Sequence, residues 1–361
     1  MDLIALLEIY SDTHILTLFG VLTGLIFGFS AQRSAFCLRA SAVEFARGQM
    51  GPRMSVWLLA ISTAIFWTQL AKLMGIFDPS QSRMMSVTGS YSGAIVGGLL
   101  FGVGMVMARG CSGRLLVLAA TGNLRSVVSG LVFAVFAQMT LVGWLRAPRD
   151  MIAGLWTTPG GRNIDLIHAF GLPPETGLLI GIGFALYAIF IARKNQISVT
   201  TLFMASGVGF AVAFGWVTTS VMSSVSFDPV AIESATFTGP SANTLMFLLI
   251  ADPVLDFDIG LIAGVFIGAF ISSILKKEFK FQGFENERNM RRALTGAALM
   301  GFGGMLAGGC AIGAGVSGGS IFAATAWIAL LFFWIGAVLA DWVIDQPHKP
   351  VSRFVKSHLN I

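Results

Sequence analysis

The chemistry open to this chain is concentrated in three cysteines, Cys37, Cys111 and Cys310, the whole thiol content of 361 residues. An odd number with no C-x-x-C spacing fits neither a closed disulfide framework nor a zinc site. The four histidines (His14, His168, His348 and His358) lie near loops or termini and the sixteen methionines are scattered, so no metal is expected. The cysteines are set apart by their surroundings. Cys111 sits in Arg109-Gly110-Cys111-Ser112-Gly113-Arg114, and Cys310 in Gly308-Gly309-Cys310-Ala311-Ile312-Gly313-Ala314-Gly315. Each glycine in a helix costs about 1 kcal/mol relative to alanine, so this density favours a break. Non-helical backbone at membrane depth is tolerated only where protein buries it or a cavity hydrates it. Both segments therefore read as re-entrant breaks, each followed by a half-helix whose N-terminal amides and partial positive charge suit an anion. Tight helix packing is the competing use of the same glycines. A polarizable thiol at such a break adds a contact for a soft, sulfur-bearing anion. Gly110, Gly113, Gly309 and Gly313 are thereby candidate binding positions beside Cys111 and Cys310. Arg109 and Arg114 flank Cys111, where a charge either serves a cavity or snorkels to an interface.

The elements that must hold these residues repeat. Gly97–Cys111 (GGLLFGVGMVMARGC) laid over Gly296–Cys310 (GAALMGFGGMLAGGC) gives seven identities in fifteen ungapped positions, ending on the Gly-Cys pair. A weaker echo relates Gly20–Gly28 to Gly207–Gly215. Cys37 has no thiol counterpart, since Ser224 or Thr236 falls opposite it depending on the alignment. It reads as an exit-side contact or as a packing residue, and both readings stand.

The medium is a bilayer. Hydrophobic residues make up 55% of the chain and charged ones 11%, against about 25% charged in a soluble domain, and the mean hydropathy is +0.80. Uncharged stretches such as Met84–Ala108, Ile197–Phe227 and Ala293–Ala340 match or exceed the roughly 20 residues a spanning helix needs. The net charge of +5 sits in short loops, as topology determinants do, so no nucleic-acid partner is expected. Arg33–Arg53 carries four Arg against one Glu, Lys276–Arg292 carries six basic residues against three Glu, and Lys349, Arg353 and Lys356 follow in the tail. These segments read as cytoplasmic, and Asp252–Asp258, with three Asp, as external. The first apolar segment follows an acidic lead (Asp2, Glu8, Asp12) and no cleavage site, so it is expected to remain as the first span. The expectation is an all-α polytopic membrane protein with about nine transmembrane helices plus short re-entrant helices. Its N-terminus would face outward and its C-terminus the cytoplasm. Residues 1–361 form one transport domain: repeat one about 15–145, a connecting segment about 146–198, repeat two about 199–340, and a tail 341–361. The two repeats would run in opposite directions, which places a substrate site near the midplane where they meet.

The Gln32-Arg33-Ser34-Ala35-Phe36-Cys37 element, the Arg-Gly-Cys-Ser-Gly-Arg run through Cys111 and the Gly-Gly-Cys-x-x-Gly run through Cys310 resemble the YeeE/YedE sulfur-transport family, from about Leu18 to Ala340. The resemblance implies an hourglass-shaped helical bundle in the bacterial inner membrane that imports thiosulfate or a related sulfur anion. It also implies a route lined by Cys37, Cys111 and Cys310, and a small TusA-like sulfur-carrier protein as cytoplasmic partner. No cofactor is expected, since neither an ATP-binding loop nor a cofactor fingerprint occurs. Two other readings compete with an importer. A membrane sulfurtransferase or thiol-redox protein would hand sulfur to a carrier, but it normally needs a base or cation to activate the thiol. No His or carboxylate lies near Cys111 or Cys310 in sequence, although Arg114 could lower a thiol pKa. A structural or sensory subunit would leave the paired cysteines unexplained.

Overall fold

The structure, a computed structural model, describes residues 11–345 except 227 and 285. Asp2, Glu8, His348, His358 and the basic tail from Lys349 to Lys356 lie outside the described residues. The chain is helical throughout, with only isolated β-bridges among the described residues. In order the helices are α1 (Asp12–Ser34), α2 (Leu38–Ala46), α3 (Pro52–Leu73), α4 (Tyr91–Met107), α5 (Ser112–Ala120), α6 (Leu124–Leu141), α7 (Arg146–Ala153), α8 (Thr176–Lys194), α9 (Val199–Val225), α10 (Thr238–Phe247), α11 (Phe257–Leu275), α12 (Glu287–Leu306), α13 (Gly313–Gly318) and α14 (Ala324–Ile344). Single-turn helices at Pro79–Gln81, Arg83–Ser86, Pro159–Gly161 and Leu166–Ala169 punctuate the loops.

The starts of the long helices are written in the sequence. Ser90, Asn123, Ser198, Asp256 and Asn286 each accept the backbone N–H three residues on, at the heads of α4, α6, α9, α11 and α12. Helix α3 lacks a cap of its own and borrows one. Glu44 of α2 accepts the N–H groups of Arg53 and Met54 at 3.0 and 3.1 Å.

Eight helical segments among the described residues are long and apolar enough to cross a membrane. They are α1 with α2, α3, α4 with α5, α6, α8, α9, α11 and α14. This is one fewer than the nine or so expected; helix α12 is comparably long, at 20 residues, but is not in the set. Its first turns carry Glu287, Arg288, Arg291 and Arg292, which keeps it out of the apolar set. Helix α8 turns large apolar side chains such as Leu179, Leu186 and Phe190 outward, as lipid contact requires.

Glycine sets how closely the helices approach, because without a water-driven hydrophobic force they pack by backbone proximity. Gly20, Gly24 and Gly28 of α1 face the backbone of Phe257, Leu261 and Val265 on α11, and Gly260, Gly264 and Gly268 face Thr17, Val21 and Leu25 in return. Gly209 of α9 lies as close to Ala60 on α3. The Gly20–Gly28 and Gly207–Gly215 echo therefore marks helices that each dock on a neighbour.

The Gly-Cys segments make matching contacts. A Cβ on Gly97 would come within 2.6 Å of the Gly303 carbonyl, and one on Gly296 within 2.6 Å of the Gly104 carbonyl. These are the same pair of aligned positions exchanged between α4 and α12. Gly102 abuts Phe333 O and Ala337 N of α14, at 2.5 and 2.9 Å from an ideal Cβ, while its aligned partner Gly301 abuts Phe133 O and Ala137 N of α6, at 2.7 and 3.0 Å.

Candidate functional site

Each cysteine stands between a long helix and a short one. Helix α1 ends at Ala35 in the left-handed region (φ 50°), Phe36 is buried, and Cys37 is the N-cap of α2. Helix α4 ends at Ala108, Arg109 takes the left-handed turn (φ 59°), and Cys111 is the N-cap of α5. Helix α12 ends at Ala307, and Gly308 turns left-handed (φ 80°) before Gly309 and Cys310. Arg109 and Gly308 thus fill one backbone role, and the arginine holds it on the exposed surface. The two downstream helices differ. Helix α5 is a regular nine-residue helix, whereas α13 is a six-residue π-turn in which Ser317 N–H reaches Ile312 O at 2.8 Å. Gly315 and Gly318 inside it account for the looser winding.

Cys111 and Cys310 are 1% and 0% exposed, and Cys37 is half-buried. Cys310 Sγ accepts two backbone N–H groups, from Gly313 and from Phe237, both at 3.4 Å. Gly313 has no room for a side chain, because Thr236 lies against it. Gly309 is equally closed, since a Cβ there would meet Ala314 N at 2.7 Å. Gly110 is less constrained, with Arg114 and Leu115 at 3.5–3.6 Å from its ideal Cβ.

A cavity of about 580 Å³ opens on one side of Cys310. Arg83, Glu233, Asn163, Thr236, Gly313 and Ser317 are among its walls, so it ends at the backbone that follows Cys310. Arg83 and Glu233 pair there at 3.7 Å. Arg149 and Asp150 pair at 2.6 Å on the rim, and the arginine holds the exposed Asp150 carboxyl below its usual range. Each arginine is thus matched by a carboxylate, and hydroxyls and an amide such as Ser90, Asn163 and Ser317 interrupt an otherwise largely apolar wall.

Cys111 lies beyond Cys310, in a crevice too tight for water that is lined by Phe27, Ala31, Phe36, Gly113, Arg114 and Ile312. It is within electrostatic reach of both Cys310 and Cys37. Arg114 is half-buried and near Cys37 and Cys111. Its guanidinium donates to Gln32 Oε1 at 3.5 Å, and Gln32 Nε2 donates to Glu278 Oε2 at 3.0 Å. The fold thus gathers Cys37, Cys111, Arg114 and Cys310 and leaves Arg109 apart from the crevice. No group of three His, Cys, Asp or Glu among the described residues is arranged to hold a metal.

Sequence reasoning passed over several members of the site. Arg83 and Glu233 are 150 positions apart, so only the fold pairs them. Phe237 is one of thirty phenylalanines. The available signal was its neighbour Thr236, one of the residues that fall opposite Cys37 in the repeat.

Comparison with known proteins gives a consistent picture. Residues 33–339 match the family model for sulphur transport. The chain is 26% identical over 365 residues to the thiosulfate transporter TsuA of Escherichia coli (strain K12), covering 94% of this chain and 98% of that protein. It is 24% identical over 339 residues to the thiosulfate transporter TsuA of Spirochaeta thermophila (strain ATCC 700085 / DSM 6578 / Z-1203), covering 90% and 98%.

Proposed function

The chain belongs to the sulphur-transport family, and from that premise we propose that it imports thiosulfate across the bacterial inner membrane as an intact anion. Both full-length relatives named above carry that substrate in their names. The observation that supports the route is the clustering of the thiols: a cavity ends at the backbone around Cys310 (Gly308, Gly313 and Thr236), and Cys111, in its own crevice, has both Cys310 and Cys37 as neighbours. Thiosulfate has an oxyanion end and a soft terminal sulfur. The cavity's arginines and hydroxyls suit the first, and the thiols suit the second.

In this reading Cys310 is the first sulfur contact, Cys111 the second and Cys37 the exit contact. Gly110, Gly113, Gly309 and Gly313 keep the backbone close to the path, Arg114 supplies inward attraction, and Arg109 acts at a surface. The halves form an inverted repeat about the α4–α12 contact, supported by the exchanged Gly97–Gly303 and Gly296–Gly104 pairs. The cavity is the vestibule and faces the outside, the C-terminus faces the cytoplasm, and a small TusA-like sulfur carrier receives the product there.

Uptake of thiosulfate labelled at both sulfurs, into cells unable to import sulfate, tests the proposal. Both labels should enter in equal amounts. Sulfite carrying one label and remaining outside would instead show sulfur abstraction at the membrane.

A further inference from the structure

An apolar layer, Phe237 with Phe27 and Ile312, links the surroundings of Cys310 to those of Cys111. Phe237 is 0% exposed. Its ring lies 5.0 Å from that of Phe27, centroid to centroid. Its opposite side rests on Gly113, where an added Cβ would sit 2.9 Å from Phe237 Cδ2, with Ile312 at 3.5 Å. Phe27, Gly113 and Ile312 also line the crevice that holds Cys111. On the other side of this layer the cavity reaches Thr236 and Gly313 but not Cys111. A divalent oxyanion meeting two tilted phenyl rings and an isoleucine loses its water and gains no polar partner, a cost no contact in the layer offsets.

The same residue is tied to the first thiol. The Phe237 backbone N–H donates to Cys310 Sγ at 3.4 Å. The Phe237 and Gly313 N–H groups engage the lone pairs of Sγ, which leaves the S–H to donate to an anionic sulfur, so the thiol contact and the ring share one peptide. Gly113 has no side chain to press on the ring, and a Cβ there would sit 3.0 Å from Phe237 Cε2.

We propose that Phe237 is the specificity-determining gate of the transport path: its ring bars dianions that cannot engage Cys310, sulfate among them, and yields to one whose terminal sulfur is held by the S–H of that thiol. The proposal rests on the cysteine route above, but it makes a separate claim about the barrier.

The test compares labelled sulfate and labelled thiosulfate uptake in cells lacking their native importers, at equal membrane abundance. Phe237→Ala is expected to raise sulfate entry roughly tenfold over the wild-type protein, because it removes the desolvating layer, and to narrow the thiosulfate preference accordingly. Phe237→Leu, which keeps apolar bulk, should leak far less. Gly113→Ala pushes a methyl against the ring and should slow thiosulfate uptake, and Phe237→Leu in the same chain should restore part of it.

A second measurement needs no transport. A small membrane-impermeant thiol reagent added outside intact cells should leave Cys111 unmodified in the wild-type protein and modify it in Phe237→Ala, as read by mass mapping. Unchanged sulfate exclusion together with an unmodified Cys111 in Phe237→Ala would overturn the gate. Cys310→Ala run in parallel separates the two claims. If that variant imports thiosulfate normally while Phe237→Ala leaks sulfate, the thiol-contact route fails and the barrier stands, but its release through Cys310 is refuted.

Discussion

A cysteine and a serine differ little in volume, but only the thiol offers a large, polarizable atom to another sulfur. Cys310, already accepting two N–H groups, has its S–H left to donate to an anionic sulfur, and Cys111 lies buried in a tight crevice. Replacing either by alanine removes one atom from a site fixed largely by backbone, so membrane abundance should hold. Thiosulfate uptake should fall by roughly tenfold or more, the size expected when a contact used along the path is lost. The serine variants should be impaired as well. Cys37→Ala should be milder, because that residue is only half-buried and is proposed as the exit contact. Normal uptake by both Cys111→Ala and Cys310→Ala would reduce the cysteines to packing residues. Arg114 has a different task. Through Gln32 it is linked to Glu278, so it contributes a held positive charge rather than a thiol contact. Arg114→Ala should chiefly raise the half-saturating thiosulfate concentration, and Arg114→Lys should retain part of the uptake because a point charge still attracts. Initial rates across a concentration series decide this, and an unchanged curve for the alanine variant would leave Arg114 without a role in attraction.

At the scale of helices, backbone proximity does what side-chain interdigitation does in soluble proteins. A methyl on Gly264 would collide with the Val21 carbonyl and stand 2.9 Å from Leu25 N. Gly264→Ala should therefore separate α1 from α11 and lower stability by about 1–3 kcal/mol, the usual cost of overpacking. Gly183→Ala, on a lipid-facing part of α8 with nothing within 4 Å, should be neutral or slightly stabilising through helix propensity. Thermal unfolding of the two purified variants in one detergent checks the contrast, and equal loss in both would refute the packing argument. This scale also shows what the sequence disclosed. The spans were legible because their apolar length is a local property, and the breaks at Cys111 and Cys310 because glycine density beside a rare residue is a local pattern. The vestibule was not, since its walls come from loops near residues 83, 149, 163 and 233 that only the fold assembles. Phe237 was hidden for a simpler reason. A phenylalanine in an apolar stretch looks like core packing until its backbone is found on the Cys310 thiol and its ring on Gly113, two residues from Cys111.

Across the whole molecule, charge is sorted to the two faces. Lys276 reaches the Arg33 carbonyl at 3.4 Å, Arg47 pairs with Asp341 at 3.1 Å, and Asp345 pairs with Arg292 at 2.8 Å and Arg39 at 3.4 Å. The Arg33–Arg53 segment, the Lys276–Arg292 segment and the end of α14 thus meet on one face. The starts of α1 and α11 lie together on the other, as their parallel glycine contacts require, and there Asp12 bonds Ser226 and Asp256 caps α11. Basic residues in short loops are retained on the cytoplasmic side, so the first face should be inside and the vestibule, with Arg83 and Glu233 at its wall, outside. Reporter fusions after Gln49 and Phe284 should both read cytoplasmic, and one near Asp256 external. Opposite readings at Gln49 and Phe284 would contradict the side-chain pairs just described and remove the inverted repeat. If both read external instead, the packing would stand but the vestibule would open to the cytoplasm, and the direction of transport proposed for the Cys310-to-Cys37 route would be reversed.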